Sequence, residues 1–128
     1  MAKPTPASPS GTRSSKSSYC PDRGDFIWLQ FRPQQGREQD GRRCAIVLSP
    51  RSYNARTSLC IVCPTTNQVK GYPFEVALPS GFPVSGVVLS DHVKNLDWAA
   101  RDSQFICKGD PAITQDVLMK IKALLAVP

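Results

Sequence analysis

The stretch Gly36-Arg37-Glu38-Gln39-Asp40-Gly41-Arg42-Arg43, followed by Cys44 and then Ala45-Ile46-Val47-Leu48-Ser49-Pro50, runs from a polar loop with two glycines into a short apolar strand that Ser-Pro closes. A second segment has the opposite order. The apolar run Leu59–Cys63 opens onto Pro64-Thr65-Thr66-Asn67-Gln68-Val69-Lys70-Gly71-Tyr72-Pro73-Phe74. The first loop ends on two arginines, and the second offers two hydroxyls, two amides and a lysine. That inventory suits an anionic backbone whose bases are also read.

Further strands are predicted on both sides of these segments. Phe26-Ile27-Trp28-Leu29-Gln30-Phe31 is rich in aromatic and β-branched residues and reads as a strand. Phe74–Leu78, Gly86-Val87-Val88-Leu89-Ser90 and Gln104–Cys107 are others, separated by the turn residues Pro79–Gly81 and Pro83. The period then changes: Ile113, Val117, Leu118, Ile121, Leu124 and Leu125 fall on one helical face, with Asp110-Pro111 and Thr114 as alternative start signals. Short strands plus one C-terminal helix predict a mainly β fold, a small and strongly bent antiparallel sheet or partly open barrel.

The 128 residues fit one modest domain, and 41% hydrophobic content is that of a globular chain. Residues 1–23, rich in Ser, Pro and Thr, carry too little apolar surface to offset the entropy of ordering and read as a disordered basic tail. The domain is then placed at residues 24–128. Lys3, Arg13, Lys16 and Arg23 put part of the +6 net charge in the tail, so the domain itself is only mildly basic, compatible with nucleic acid or with solubility alone.

Five cysteines, an odd number, without a secretory signal argue against a disulfide framework. Cys60 and Cys63 lie three apart on a strand and point to opposite faces, so they read as structural thiols rather than a metal pair. No apolar stretch approaches the ~20 residues that cross a bilayer, which predicts a cytoplasmic protein with no membrane partner.

The order and wording of these motifs resemble the MazF/PemK family of toxin endoribonucleases. The resemblance runs from Gly24-Asp25-Phe26-Ile27-Trp28 through Glu38-Gln39, Gly41-Arg42-Arg43, Val47-Leu48-Ser49-Pro50, Tyr53-Asn54, Thr65-Thr66 and Lys70-Gly71-Tyr72-Pro73-Phe74-Glu75-Val76 to Ser90-Asp91-His92-Val93-Lys94 and Leu96-Asp97-Trp98. It implies a PemK/CcdB-like fold, a small Src-homology-3-like barrel with added helices, and a homodimer. It also implies sequence-specific cleavage of single-stranded RNA without metal or other cofactor. The partner it implies is a MazE-like antitoxin whose flexible acidic segment covers the RNA groove.

By the same resemblance Arg43 and Thr65 are the catalytic pair and Glu38 the acidic residue of the first loop. Asn54, Gln68 and Lys70 fall in RNA-contacting regions. Two departures stand out: Cys44 replaces the family's usual proline after the arginine, and the stretch from Thr66 to Lys70 is slightly longer.

Metal-free RNA cleavage proceeds by attack of the 2′-hydroxyl on the adjacent phosphate, leaving a 2′,3′-cyclic phosphate and a 5′-hydroxyl. It needs a base, stabilisation of the phosphorane charge, and an acid for the leaving oxygen. Arg43 suits the charge through its two-pronged guanidinium, and the Thr65 hydroxyl can donate to the same oxygens. Glu38 has three readings: general base, ion-pair partner orienting Arg43, or exposed loop charge.

His92 is the single histidine, which excludes a histidine-pair mechanism within one chain; the resemblance, in which this position is often glutamine, implies a packing or hydrogen-bonding role, with a catalytic role as the alternative. Phe31 is the stacking candidate among the aromatics, whereas Trp28 and Phe74 sit in strand patterns and are expected in the core. Arg37, Arg42 and Thr66 complete the candidate RNA-binding set. Two other readings remain: a CcdB-like toxin that acts by binding a topoisomerase, and a non-cleaving member that keeps RNA or antitoxin binding.

Overall fold

The computed structural model describes residues 19–31 and 41–126. Arg37, Glu38 and residues 1–18 of the expected tail lie outside them. The chain runs β1 (Asp25–Gln30), β2 (Arg42–Val47), α1 (Arg51–Thr57), β3 (Leu59–Thr66), β4 (Glu75–Ala77), β5 (Val87–Leu89), β6 (Lys94–Asp97), β7 (Gln104–Lys108) and α2 (Pro111–Leu125). The strands form one antiparallel sheet in the order β4-β5-β3-β2-β1-β7, with β6 added on β3. It is bent but does not close into a barrel among the described residues.

Strand β3 is the hub. Its first half pairs with β6 over Leu59–Val62, and its last two residues pair with β5, Thr65 opposite Val88 and Thr66 opposite Val87. Pro64 sits between these two ladders, paired only with Ala45 of β2. A proline cannot donate to a ladder, so it fits where the strand passes from one neighbour to the next.

The apolar runs are continuous because both faces of the central strands are covered. Phe26, Cys44, Ile46, Cys63 and Val88 lie on one face, under Ile113 and Val117 of α2. Ile27, Leu29, Ala45, Val47, Cys60 and Val62 lie on the other, beneath Tyr19, Leu96 and Trp98. Each fully buried aliphatic or Phe side chain contributes about 1.5–3 kcal/mol. Cys60 and Cys63 thus belong to opposite faces, as their spacing predicts.

Asp110 caps α2, accepting from Ala112 N–H at 2.9 Å ahead of Pro111, and such a cap stabilises by about 1 kcal/mol. The helical face expected to run to Leu125 ends sooner. Ile113 and Val117 are buried and Leu118 and Ile121 pack on the core, but Leu124 and Leu125 are exposed because the last turn passes beyond it.

The packed region begins before Gly24, and the tail boundary is corrected accordingly. The Tyr19 hydroxyl donates to Asp25 Oδ2 at 2.7 Å, Pro21 is fully buried, and Arg23 Nε donates to the Leu48 carbonyl at 2.6 Å. Buried Asp25 also pairs with Lys108 at 2.8 Å. Burial, and then the bond to Asp25, push the Tyr19 phenol up from its ordinary value.

Candidate active site

A cleft of about 450 Å³ lies where β2 begins and β3 ends. Register builds it. Ala45 faces Pro64, so the next residues outward, Cys44 and Thr65, meet. Thr65 Oγ1 lies 3.4 Å from the Cys44 carbonyl, a long bond for a hydroxyl donor. Arg43 reaches across the strand end: its Nη2 donates to the Thr65 carbonyl at 3.2 Å and its Cζ lies 5.6 Å from the centre of the Phe31 ring. The guanidinium is thus held by a backbone carbonyl and an aromatic face, with donors left over.

Thr66, Asn67 and Ser85 form one wall, and Trp28 and Ile106 line the cleft from β1 and β7. Among the described residues the lining contains a single cation, Arg43, and no carboxylate. This charge balance favours an anion and puts a fixed positive group where phosphorane charge would develop. The lining thiol of Cys44 is pushed up to about 11, chiefly by burial, so it is neutral at physiological pH.

Backbone geometry fixes the wall. Gly86 has φ +95°, and a Cβ there would stand 2.1 Å from the Thr66 carbonyl oxygen. Only glycine permits this approach of β5 to the end of β3. The turn between Thr66 and β4 is tied back by Glu75, whose carboxylate accepts from Lys70 and Gly71 N–H at 3.2 and 3.0 Å.

The structure brings Arg43, Thr65 and Thr66 together in the cleft and puts Phe31 beneath Arg43. Gln68 and Lys70 are exposed on the loop that follows. Two candidates do not line the cleft. Asn54 is fully buried in α1, where it accepts from Ser49 Oγ and donates to the carbonyls of Pro21 and Ser49. Its side chain braces the fold and does not meet solvent. Arg42 does not line the cleft: its guanidinium turns to the Gln104 side chain and to the carbonyl and carboxylate of Asp102.

Trp28 reverses the expectation of a core residue. It lies on the same strand face as Phe26, but at 42% exposure it opens into the cleft, since no described residue covers the sheet there. Strand alternation identifies a face without telling where its cover stops. Asn67 and Ser85 were not singled out by sequence reasoning, which gave no sign that the two loops meet. His92 stands away from the cleft, exposed, 3.7 Å from Asp91.

Residues 22–125 match a family described as PemK-like, MazF-like toxin of type II toxin-antitoxin system. The chain belongs to this family. It is 47% identical over 109 residues to the endoribonuclease toxin MazF of Escherichia coli K12, covering 85% of this chain and 97% of that protein. Endoribonuclease PemK of Escherichia coli is more distant, at 29% over 108 residues, 81% of each chain.

Among solved structures, MazF from Deinococcus radiodurans superposes with a TM-score of 0.77 at 48% identity, covering 85% of this chain and 99% of that one. A MazE-MazF structure from the same organism gives 0.76 at 43% identity, covering 86% and 99%. The MazF likeness thus spans the described fold, including both strands that carry the arginine–threonine pair. Among the described residues no group of three or more His, Cys, Asp or Glu is placed to hold a metal ion, and no helix is long and apolar enough to cross a membrane.

Proposed function

We infer that this protein is the toxin of a type II toxin–antitoxin system, a MazF-type endoribonuclease that cuts single-stranded RNA at a short sequence and so halts translation and growth. The observation that carries the reading is the pairing of Arg43 with Thr65 in an open cleft, with no carboxylate among its described lining residues, in a chain nearly half identical to an endoribonuclease toxin.

The chemistry starts with the substrate's own 2′-hydroxyl. Its oxygen forms a bond to the adjacent phosphorus as its proton passes to a base. The bond from phosphorus to the 5′-oxygen breaks, and that oxygen takes a proton. The Arg43 guanidinium neutralises the developing charge with paired N–H donors, and Thr65 adds a hydroxyl that its weak bond to Cys44 leaves free to turn. Glu38 retains its three readings, as base, as orienting partner of Arg43 or as loop charge. Arg37, Gln68 and Lys70 would add phosphate and base contacts at the rim.

The partner is a MazE-like antitoxin, since Deinococcus radiodurans MazF is solved in MazE-MazF structures and an acidic chain competes for the cationic groove. The active species is a homodimer in the cytoplasm. Exposed Met119, Leu124 and Leu125 on α2 support an interface between copies.

The deciding experiment incubates purified protein with long single-stranded RNA in EDTA and maps both fragment ends, with Arg43→Ala as control. Cuts at one short sequence with cyclic-phosphate and 5′-hydroxyl ends, lost in the control, are expected. Intact RNA with a folded, antitoxin-free dimer would sink the reading and favour the topoisomerase-binding or non-cleaving alternatives.

A further inference from the structure

We propose that Asn67, held in place by Ser85, is a specificity-determining residue that reads one base beside the scissile phosphate and selects a keto base, guanine or uracil. The proposal rests on the ribonuclease reading and deepens it.

Asn67 follows β3 directly, two residues after Thr65. It stands at the bend where the strand ends, and its side chain lines the same cleft as Thr65. It lines the same cleft as Arg43 and is exposed to an incoming strand.

Its side chain is anchored. Ser85 Oγ donates to Asn67 Oδ1 at 2.7 Å, from the loop that leads into β5. The anchor depends on Gly86, because a Cβ there would come within 2.9 Å of Asn67 Oδ1 besides meeting the Thr66 carbonyl. A side chain fixed at its oxygen loses less rotamer freedom on binding than a free one. With the oxygen engaged by Ser85, the carboxamide has its two amide hydrogens to offer.

Two amide donors fit a base edge that carries carbonyl acceptors. Guanine presents O6 and N7, and uracil presents O4 and O2. Adenine and cytosine place an exocyclic amino donor at the corresponding position and would meet the amide donor-to-donor. Trp28, exposed in the same cleft, supplies an aromatic face on which the base can stack, and stacking is indifferent to base identity. Discrimination therefore falls to the Asn67–Ser85 pair.

The test sequences the fragment ends produced from a randomised RNA pool by the wild-type protein and by Asn67→Ala, Asn67→Asp, Ser85→Ala and Ser85→Thr. Asn95→Ala is the control, a polar substitution far from the cleft. Wild type is expected to show a keto preference at one position near the cut, falling about 10- to 100-fold in Asn67→Ala. Asn67→Asp, which replaces donors by acceptors, should move that position towards adenine or cytosine. Ser85→Ala should weaken the same position to a lesser degree, and Ser85→Thr, which keeps the hydroxyl, should restore it.

An unchanged cleavage sequence in Asn67→Ala would overturn the proposal while leaving the ribonuclease reading intact. So would dependence on Asn67 at a position where wild type prefers an amino base. If the wild-type protein cuts nothing, the ribonuclease reading fails and this inference falls with it. Asn67 is exposed, so thermal melts of each variant separate a changed preference from a damaged fold.

Discussion

Asn54 and Asn67 are the same residue in two opposite settings. Around Asn54 the α1 corner is sealed: the residue is fully buried and its amide joins Ser49 to Pro21. At the cleft wall Asn67 is exposed, and among the described residues its side chain is anchored through its oxygen, by Ser85. Asn54 holds parts of the chain together because its hydrogen-bonding capacity is spent within the protein. Asn67 retains capacity for something that arrives. Both sit in polar stretches of sequence, so residue type cannot separate the two roles, whereas burial and the count of satisfied atoms can.

Mutation sharpens the contrast. Arg43→Ala, at the cleft, should lower the RNA cleavage rate by about 1000-fold or more, the scale set by losing a preorganised donor to developing charge. Its melting temperature should stay within about 2 °C of wild type, because the bond lost is partly exposed. Asn54→Ala should do the reverse. Leaving a buried hydroxyl and two carbonyls without their partner costs about 3 kcal/mol, read as a fall in Tm of about 10–15 °C in calorimetry. Cleavage by the fraction still folded at low temperature should be retained. Equal loss of activity in both variants would erase the distinction.

Gly86→Ala tests the link between wall and fold. The Cβ collides with the backbone of Thr66, so a loss of about 2 kcal/mol in urea unfolding is expected, together with a blurred cleavage sequence.

The smallest effect is one of pH. Burial pushes the Cys60 and Cys63 thiols up to about 12 and that of Cys44 up to about 11, from an ordinary 9.0. Neutral thiols therefore favour the folded state. Their contribution is fully present below pH ~9 and is lost as pH rises towards 11–12. The urea midpoint should fall between pH 8.5 and 10.5, and by less in Cys60→Ala.

Most strands were legible because their apolar runs are largely buried on both faces, as Phe26, Ile27, Leu29 and Ala45–Val47 are. Two elements were not. Helix α1 buries only Asn54 and so has no apolar period, and β6, Lys-Asn-Leu-Asp, owes its strand form to pairing with β3. The same limit applied at the site. Arg43 and Thr65 could be picked out by motif, and register brings them together. The diversion of Arg42 to Asp102 and Gln104, the uncovered end of the sheet at Trp28, and the meeting of Asn67 with Ser85 all arise between segments distant in sequence. The burial of Asn54 was hidden for the same reason, since Pro21, one of its partners, lies on a distant segment.

The three-way pairing of β3 bears on when a newly made toxin becomes dangerous. Arg43 and Thr65 leave the ribosome early, yet the strand that carries Thr65 needs β6 along its first half and β5 along its last two residues, and β1 needs β7. These late, long-range ladders are slow to close. Ile106 of β7 also lines the cleft, so its wall is complete only after residues 104–108 have emerged.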